Sequence, residues 1–407
     1  KGDMVWRLLK CLYGLKQSPR MWNQTIDKVL VEIGFVRLKT DHGVYVFGVG
    51  DGRVFIALYV DDLLMVWKRR EVLEMVKRRL HEKFEMKDLG VATFLLGIEL
   101  RRHEGGDLFL VQQKYALEVV EKFGMKDSKP ASTPFEPGSI LGVEGCPQNE
   151  EERAAMEVIP YRSLVGSLMY LAVCTRPDLA MGVSTLSRFC QDPGMLHWEA
   201  AKRLLRYVKG SAGDGLLYGK GEEVGLWGYS DASYGCDPET KRGRSGFIMM
   251  SGGAAISWGS KLQEVVALSS TEAEYMALTH AAQEALYLHQ LQMEMGVDHE
   301  GKGILLLCDN QSSMKIAQNP VFHKRSKHIS IRYHFIREKV ESGEMELQFV
   351  RTKEMAADQL TKNVGVQVLV AGKELIGAVG ISGAPGGEKD SACAQAGIDK
   401  IAKLIGN

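Results

Sequence analysis

The chain has 407 residues, 45% of them hydrophobic and 25% charged, which is the composition of an ordinary globular protein with two or three domains. The 51 basic and 51 acidic residues cancel, so net charge does not indicate a nucleic-acid partner. The seven cysteines are scattered without a Cys-x-x-Cys pair, which argues against a zinc site or a disulfide framework and fits a reducing compartment. No signal peptide opens the chain and no apolar run could span a bilayer, so we expect no membrane partner.

The first 128 residues mix helical and strand patterns. The predicted elements, in chain order, are a helix over 18–34, a hairpin over 54–67, an amphipathic helix over about 69–84, and a strand pair, 92–100 with 108–111. We expect this region to be one domain, followed by a linker over 129–159 that begins with a stretch rich in Pro, Gly and Ser.

Three further regions follow the linker. Residues 160–222 have helical patterns, including a helix opened by Pro177. Residues 223–362 alternate strands with helices, which is typical of an α/β domain. The segment 363–407 is rich in Gly and Val, and its pattern predicts a hairpin around Gly372-Lys373 followed by a helix over 389–404.

An acidic corner, Asp61-Asp62, separates two apolar runs at 54–58 and 63–67. The runs are rich in strand-forming residues and therefore predict a β-hairpin. Two adjacent carboxylates repel each other unless a cation lies beside them, and a divalent metal with a triphosphate would supply that charge. The alternative is a simple turn, in which Asp is common.

A second group of carboxylates lies in the α/β region. Asp231 is predicted to end a strand, and Asp309 follows the unbroken apolar run 304–308, which suits a central strand. Carboxylates at the ends of neighbouring strands meet at one edge of such a sheet, where ligands bind. Asp358 is placed at the start of a predicted helix over 355–362, where its alternative role is to complement the helix dipole.

The predicted helix near Thr271 offers Glu272 and Glu274, and helical spacing distinguishes them. Steps of three and four from Glu274 follow the apolar face, whereas the same steps from Glu272 follow the wetter face. Glu274 is therefore expected to point toward the sheet, while Glu272 closes a capping box with Ser269. A capping box between Glu274 and Thr271 remains an alternative.

Together, Asp231, Glu274, Asp309 and Asp358 make a candidate two-metal site for phosphodiester hydrolysis. Hard oxygen ligands favour Mg²⁺, with Mn²⁺ as a substitute.

The chain resembles the C-terminal part of a copia-type LTR retrotransposon Pol polyprotein, in which reverse transcriptase is followed by ribonuclease H. The matching stretches are 11–22, 58–63, 94–99, 113–116, 161–171, 175–178, 230–233, 269–275, 308–310, 327–329 and 357–358. The resemblance implies a multidomain α/β and α+β protein: a partial reverse-transcriptase palm and thumb, a ribonuclease H-like α/β domain, and a short ββα tail fragment.

The resemblance also implies roles for individual residues. Asp61 and Asp62 would be metal-binding carboxylates of the polymerase palm, with Tyr59 beside the primer terminus, and the quartet would be that of ribonuclease H. The further residues implied to contact nucleic acid are Lys16, Gln17, Lys327 and His328. The implied partners are RNA–DNA hybrid and template-primer, with integrase and fingers segments upstream. The implied location is a retroelement particle in the cytoplasm, or the nucleus.

Two features depart from that family pattern. Another catalytic Asp of such polymerases belongs to an upstream segment that this sequence does not contain, so we expect no independent polymerase activity. The tail, through 376–380 and 386–390, is similar to the C-terminal part of the GlcG/HbpS-like family, some members of which bind haem. The competing interpretations are an inactive element remnant that at most binds nucleic acid, and a chimera whose tail is a haem-binding or small-molecule module.

Overall fold

The computed structural model describes most of the chain. The described residues are 8, 11–12, 14–136, 138–221, 225–297, 303–318, 330–363, 370–371 and 374–375. Lys327, His328 and the helix predicted over 389–404 lie outside these ranges. The chain divides into two units, one of residues 1–92 with 287–298 and one of residues 93–286 with 299–407. The predicted domain boundaries stay predictions.

The first unit packs two helices on a four-stranded antiparallel sheet of order β1-β2-β3-β4. Its elements are α1 (Ser18–Ile33), β1 (Val36–Arg37), β2 (Val44–Phe47), β3 (Val54–Tyr59), β4 (Asp62–Trp67) and α2 (Arg70–His81). Helix α1 has a proline in its first turn and ends at Gly34, whose φ of 108° is readily adopted by glycine. Ile26 and Leu30 of α1 are fully buried in the same core as Val76 of α2. Both predicted helices and the hairpin are confirmed.

The apolar run 92–100 does not form one strand, as the sequence pattern suggested. It forms two, β5 (Phe94–Leu95) and β6 (Ile98–Arg102), which pair with each other around a tight turn. Leu96 and Gly97 both have positive φ, of 48° and 76°, which is the geometry of a two-residue hairpin turn. The hydroxyl of Tyr170 donates to the carbonyl oxygen of Leu96 and holds the turn. Gly97 inside the run indicated a turn, but the apolar residues around it favoured one continuous strand.

The second unit begins with this sheet and a helical cluster. Strand β6 pairs with β7 (Leu108–Val111), and β7 pairs with β8 (Gly215–Tyr218). The helices are α3 (Gln113–Lys122), α4 (Glu150–Glu157), α5 (Tyr161–Cys174), α6 (Ala180–Ser187) and α7 (Met195–Gly210). Leu168 of α5 and Leu204 of α7 are fully buried in one core, so helices α5 to α7 confirm most of the predicted helical region. Its last part was predicted wrongly, because residues 215–218 form strand β8. Helix α4 lies inside the predicted linker, where the Asn149 side chain caps it by accepting from the Glu152 N–H.

A five-stranded mixed sheet of order β11-β10-β9-β12-β13 forms the α/β part of this unit. The elements are β9 (Trp227–Ser233), β10 (Arg244–Ser251), β11 (Ala254–Leu262), α8 (Ser270–Glu294), β12 (Ile304–Cys308), α9 (Gln311–Gln318), α10 (Ser330–Glu341) and β13 (Met345–Phe349). Strand β12 runs parallel to both of its neighbours, β9 and β13, and Leu306 at its centre is fully buried. The prediction of a central strand at 304–308 is confirmed, as is the α/β and α+β fold class.

The helix predicted over 355–362 is instead a short 3-10 turn, Ala356–Leu360, preceded by another at Thr352–Glu354. Ala357 and Leu360 are fully buried, and residues three apart align on one side of a 3-10 turn. The turn lies directly on β10, because a Cβ added at Gly246 would be only 2.7 Å from Thr361 Cγ2 and 2.8 Å from Leu360 Cβ. Close packing on the sheet therefore depends on that glycine.

In the tail, β14 (Val370–Ala371) pairs antiparallel with β15 (Glu374–Leu375), which confirms the predicted hairpin around Gly372-Lys373. Among the described residues, none of the helices has the length and apolar character needed to cross a bilayer.

We expect Gly246→Ala to destabilise the second unit by about 1–3 kcal/mol, because the added methyl group forces the 356–361 segment off the sheet. The measurement is thermal or urea unfolding of the full chain. Gly166→Ala is the matched control: Gly166 lies inside α5 with open space around it, so the same change there should raise stability by about 0.5–1 kcal/mol. Equal effects of the two changes would contradict this packing account.

Candidate functional site

Asp231 lies inside strand β9 and not at its end, contrary to the sequence prediction, and it pairs with Gly246 of β10. Its other neighbour, β12, stops sooner, because the last parallel pair joins Ser230 to Cys308. Asp231, the next residue of β9, therefore extends past the end of β12 and lies beside the residue that follows Cys308. Its side chain is almost fully buried, with the residue only 1% exposed.

Asp309 occupies that following position, as predicted, directly after β12. It is partly buried, and its Oδ2 accepts a hydrogen bond of 2.7 Å from the Thr352 hydroxyl. Thr352 belongs to the 3-10 turn after β13, so two parallel neighbouring strands together place and orient this carboxylate.

Glu274 points inward from helix α8 and is 9% exposed. Its carboxylate accepts a hydrogen bond from the backbone N–H of Ala232, next to Asp231. Glu272 caps the helix instead: its N–H donates to Ser269 Oγ at 3.2 Å, and its Oε2 accepts from the Leu268 N–H at 2.8 Å. Glu274 thus points inward as helical spacing predicted, but the expected wetter face at Glu272 was wrong, because Glu272 is only 5% exposed. The Thr271 capping alternative for Glu274 was also wrong, since Ser269 is the residue that caps the helix.

The fold brings Asp231, Glu274 and Asp309 together, with one carboxylate oxygen from each lying within 4.8 Å of the others. Burial raises the pKa of Glu274 to about 9, and the charges of Asp231 and Asp309 add to the effect. Burial likewise raises the pKa of Asp231 to about 6. In the metal-free protein, burial therefore disfavours the charged forms of these two carboxyl groups, and Glu274 keeps its proton at neutral pH. Because carboxylate oxygens are the ligands of hard divalent cations, this arrangement fits such a cation.

Asp358 is connected to this centre by Lys362, whose ammonium group lies near both Asp358 and Asp231. Lys362 Nζ lies 2.8 Å from Asp358 Oδ1 and 3.8 Å from Asp231 Oδ2. Asp358 itself is outside the group of three oxygens within 4.8 Å. The hydroxyl of Thr361 donates to Asp231 Oδ2.

Sequence reasoning missed Thr352, Thr361 and Lys362. Lys362 carried a usable signal, because it follows Asp358 by four residues and this spacing favours an ion pair. The two threonines carried none, since Thr361 reaches a carboxylate 130 positions away in the sequence.

The acidic corner of the first unit is built differently. Strands β3 and β4 meet through the two-residue loop Val60-Asp61, with Tyr59 paired to Asp62. Val60 has a φ of 55°, which is strained for a β-branched residue, and its carbonyl oxygen accepts a hydrogen bond of 2.6 Å from Trp22 Nε1. Both aspartates and Tyr59 are exposed, so water reduces the repulsion that sequence reasoning expected between the carboxylates.

The remaining predicted nucleic-acid contacts are only partly described. Lys16 and Gln17 are exposed in the turn that leads into α1. Lys327 and His328 lie outside the described residues.

Comparison with known proteins gives two family matches. The family described as "Reverse transcriptase (RNA-dependent DNA polymerase)" matches residues 1–137. The family described as "Haem degrading protein HbpS-like" matches residues 271–399, a range that begins in α8 and ends in the tail.

Several relatives match large parts of the chain. The retrovirus-related Pol polyprotein from transposon TNT 1-94 of Nicotiana tabacum is 41% identical over 379 residues, which are 93% of this chain and 28% of that protein. The putative transposon Ty5-1 protein of Saccharomyces cerevisiae is 35% identical over 283 residues, 69% of this chain and 90% of that protein. The chain thus spans little more than a quarter of the tobacco polyprotein.

Among solved structures, LC11-RNase H1 in complex with an RNA/DNA hybrid is similar to this chain at 17% identity and a TM-score of 0.26. The alignment covers 33% of this chain and 93% of that one.

We expect Glu274→Gln to stabilise the metal-free protein at alkaline pH. The pKa of Glu274 is raised from 4.5 to about 9, so its contribution to stability is present below about pH 4.5 and is lost as the pH rises toward about 9. In the presence of a metal chelator near pH 8, the unfolding temperature of the variant should be about 2–4 °C above that of the parent. It should also fall less than that of the parent as the pH rises. Glu346→Gln, an exposed change on β13, is the control. A variant that parallels the parent at every pH would refute the prediction.

Proposed function

Because the chain belongs to the copia-type family of LTR retrotransposon Pol polyproteins, we propose that its 223–362 region cleaves the RNA strand of RNA–DNA hybrids by metal-dependent hydrolysis. The observation that carries this proposal is the convergence of Asp231, Glu274 and Asp309 within 4.8 Å. Three carboxyl groups gathered at a sheet edge, with Asp231 almost fully buried, destabilise the metal-free fold, and a bound divalent cation offsets that cost.

Asp231, Glu274 and Asp309 would hold the cation, Mg²⁺ or in its place Mn²⁺, with Asp358 completing the quartet. When bound, such an ion supplies an activated water and stabilises the leaving oxygen of the phosphodiester. The protein contributes preorganised ligands, because a hydrogen bond fixes each of the three carboxylates. The donors are the Thr361 hydroxyl for Asp231, the Ala232 N–H for Glu274 and the Thr352 hydroxyl for Asp309.

The proposed substrate is recognised by its backbone. A hybrid duplex is distinguished by its shape and its 2′-hydroxyl groups more than by base sequence, and cationic side chains contact its phosphates. We assign Lys327 and His328 to such contacts, on the basis of the family motif that contains them.

For the first unit we propose a contribution to the polymerase site of the parent polyprotein. Asp61 and Asp62 would supply metal-binding carboxylates, with Tyr59, Lys16 and Gln17 contacting template-primer. The reverse-transcriptase family match over 1–137 supports this assignment. The other proposed partners are the integrase and fingers segments of the polyprotein, in a cytoplasmic retroelement particle or in the nucleus.

A second candidate function is haem binding by the C-terminal part of the chain. The match to the HbpS-like family over 271–399 favours it. Titration of the full chain with haem tests it, since specific binding shifts and sharpens the haem absorbance band and its absence removes this candidate.

We expect Asp231→Asn and Asp309→Asn each to reduce cleavage of an RNA–DNA hybrid in Mg²⁺ by about a hundredfold or more, because each removes a charged metal ligand. The measurement is cleavage of an end-labelled hybrid by the full chain. Both variants should fold, since Asn keeps the shape of the side chain and relieves the charge repulsion. Glu346→Gln should cleave like the parent.

Equal cleavage by parent and both Asn variants would exclude this site. A folded parent that cleaves no hybrid with either Mg²⁺ or Mn²⁺ would favour an inactive element remnant.

A further inference from the structure

An ammonium group already lies on one side of the carboxylate centre. Lys362 Nζ contacts Asp358 Oδ1 at 2.8 Å and approaches Asp231 Oδ2 at 3.8 Å. Asp231 is 1% exposed, so water screens its charge poorly. Its electrostatic attraction to the nearby lysine is therefore stronger than it would be at the surface.

The other side of the centre has a different composition. Glu274 and Asp309 lie beside Asp231, and their hydrogen-bond donors are the neutral Ala232 N–H and the Thr352 hydroxyl, so no cationic side chain pairs with either of them among these contacts. Asp231 therefore lies between two unlike environments. One is an all-carboxylate group that a cation can enter directly, and the other is a carboxylate pair whose cation is a side chain of the protein.

We propose that Lys362 is a positioning residue that acts as an internal counter-ion for Asp231 and Asp358 and makes metal loading stepwise. The first divalent cation binds among Asp231, Glu274 and Asp309 with Lys362 in place. A second cation binds between Asp231 and Asp358 only when the ammonium leaves. The inference rests on the proposed two-metal site and specifies how its two halves differ.

The local structure allows Lys362 to leave. Its side chain is 40% exposed, and a lysine stem is long and flexible, so the ammonium can move into water while the backbone stays in position. The backbone is fixed by the preceding 3-10 turn, whose Leu360 is fully buried, and the Lys362 N–H donates to the Asp358 carbonyl oxygen at 3.0 Å. Removing the ammonium therefore need not displace Asp358.

As a consequence, the protein should bind the first cation more tightly than the second. Displacing the ammonium costs its interaction with both carboxylates, and this cost weakens the second binding step more than the first. Without the lysine, the second step should strengthen by about tenfold relative to the first, a coupling of ordinary size between neighbouring sites.

The test is Mn²⁺ binding to the metal-free full chain, followed through the electron paramagnetic resonance signal of free Mn²⁺. The parent should bind one Mn²⁺ tightly and a second more weakly, and Lys362→Met should bring the two affinities closer by about tenfold. Lys362→Arg should keep the stepwise pattern, because it keeps the cation. Lys353→Met is the matched control: it removes a lysine from the neighbouring exposed turn Thr352–Glu354 and should leave the ratio unchanged.

Other outcomes would contradict the inference. If parent and Lys362→Met bind two ions with the same ratio of affinities, or if Lys353→Met alters the ratio as much, the inference is overturned and the metal site stands. If the parent binds no Mn²⁺, the proposed function fails together with it. Lys362→Gln, which keeps a polar side chain, replaces the Met variant if that protein does not fold.

Discussion

The pairing register of two parallel strands sets the conditions for the whole site. Because β12 ends opposite Ser230, Asp231 and Asp309 are brought side by side, and α8 adds Glu274 to the same place. A shift of one residue would turn Asp231 to the other face of the sheet. The fully buried apolar centre of β12 maintains this register, so hydrophobic burial holds together charges that would otherwise separate.

The protein manages its two acidic sites by different physical means. The Asp61-Asp62 corner is exposed, so water screens its charges. The unfavourable feature there is the strained backbone of Val60, which is held by a hydrogen bond from the Trp22 indole. The centre around Asp231 is buried, and its cost is electrostatic, as the raised pKa values of Asp231 and Glu274 indicate. Hydroxyl donors and Lys362 reduce that cost only in part, which leaves the centre suited to a divalent cation.

Much of this arrangement could be predicted from local patterns. Two apolar runs of strand-forming residues identified the acidic hairpin, the apolar run at 304–308 identified β12, and helical spacing distinguished Glu274 from Glu272. The failures have physical causes. A glycine-containing apolar run folded back on itself at Leu96-Gly97, and close packing over Gly246 replaced a predicted helix with a 3-10 turn. Thr361 and Thr352 reach their carboxylates across long sequence separations, which no local pattern encodes.

The central claim is that Asp231, Glu274 and Asp309 form one metal-binding centre. Anomalous diffraction from crystals of the full chain grown with Mn²⁺ tests it most directly. The account predicts a manganese peak coordinated by oxygens of all three carboxylates, at about 2.0–2.2 Å. Well-ordered carboxylates with no peak between them, or carboxylates that point apart, would contradict it.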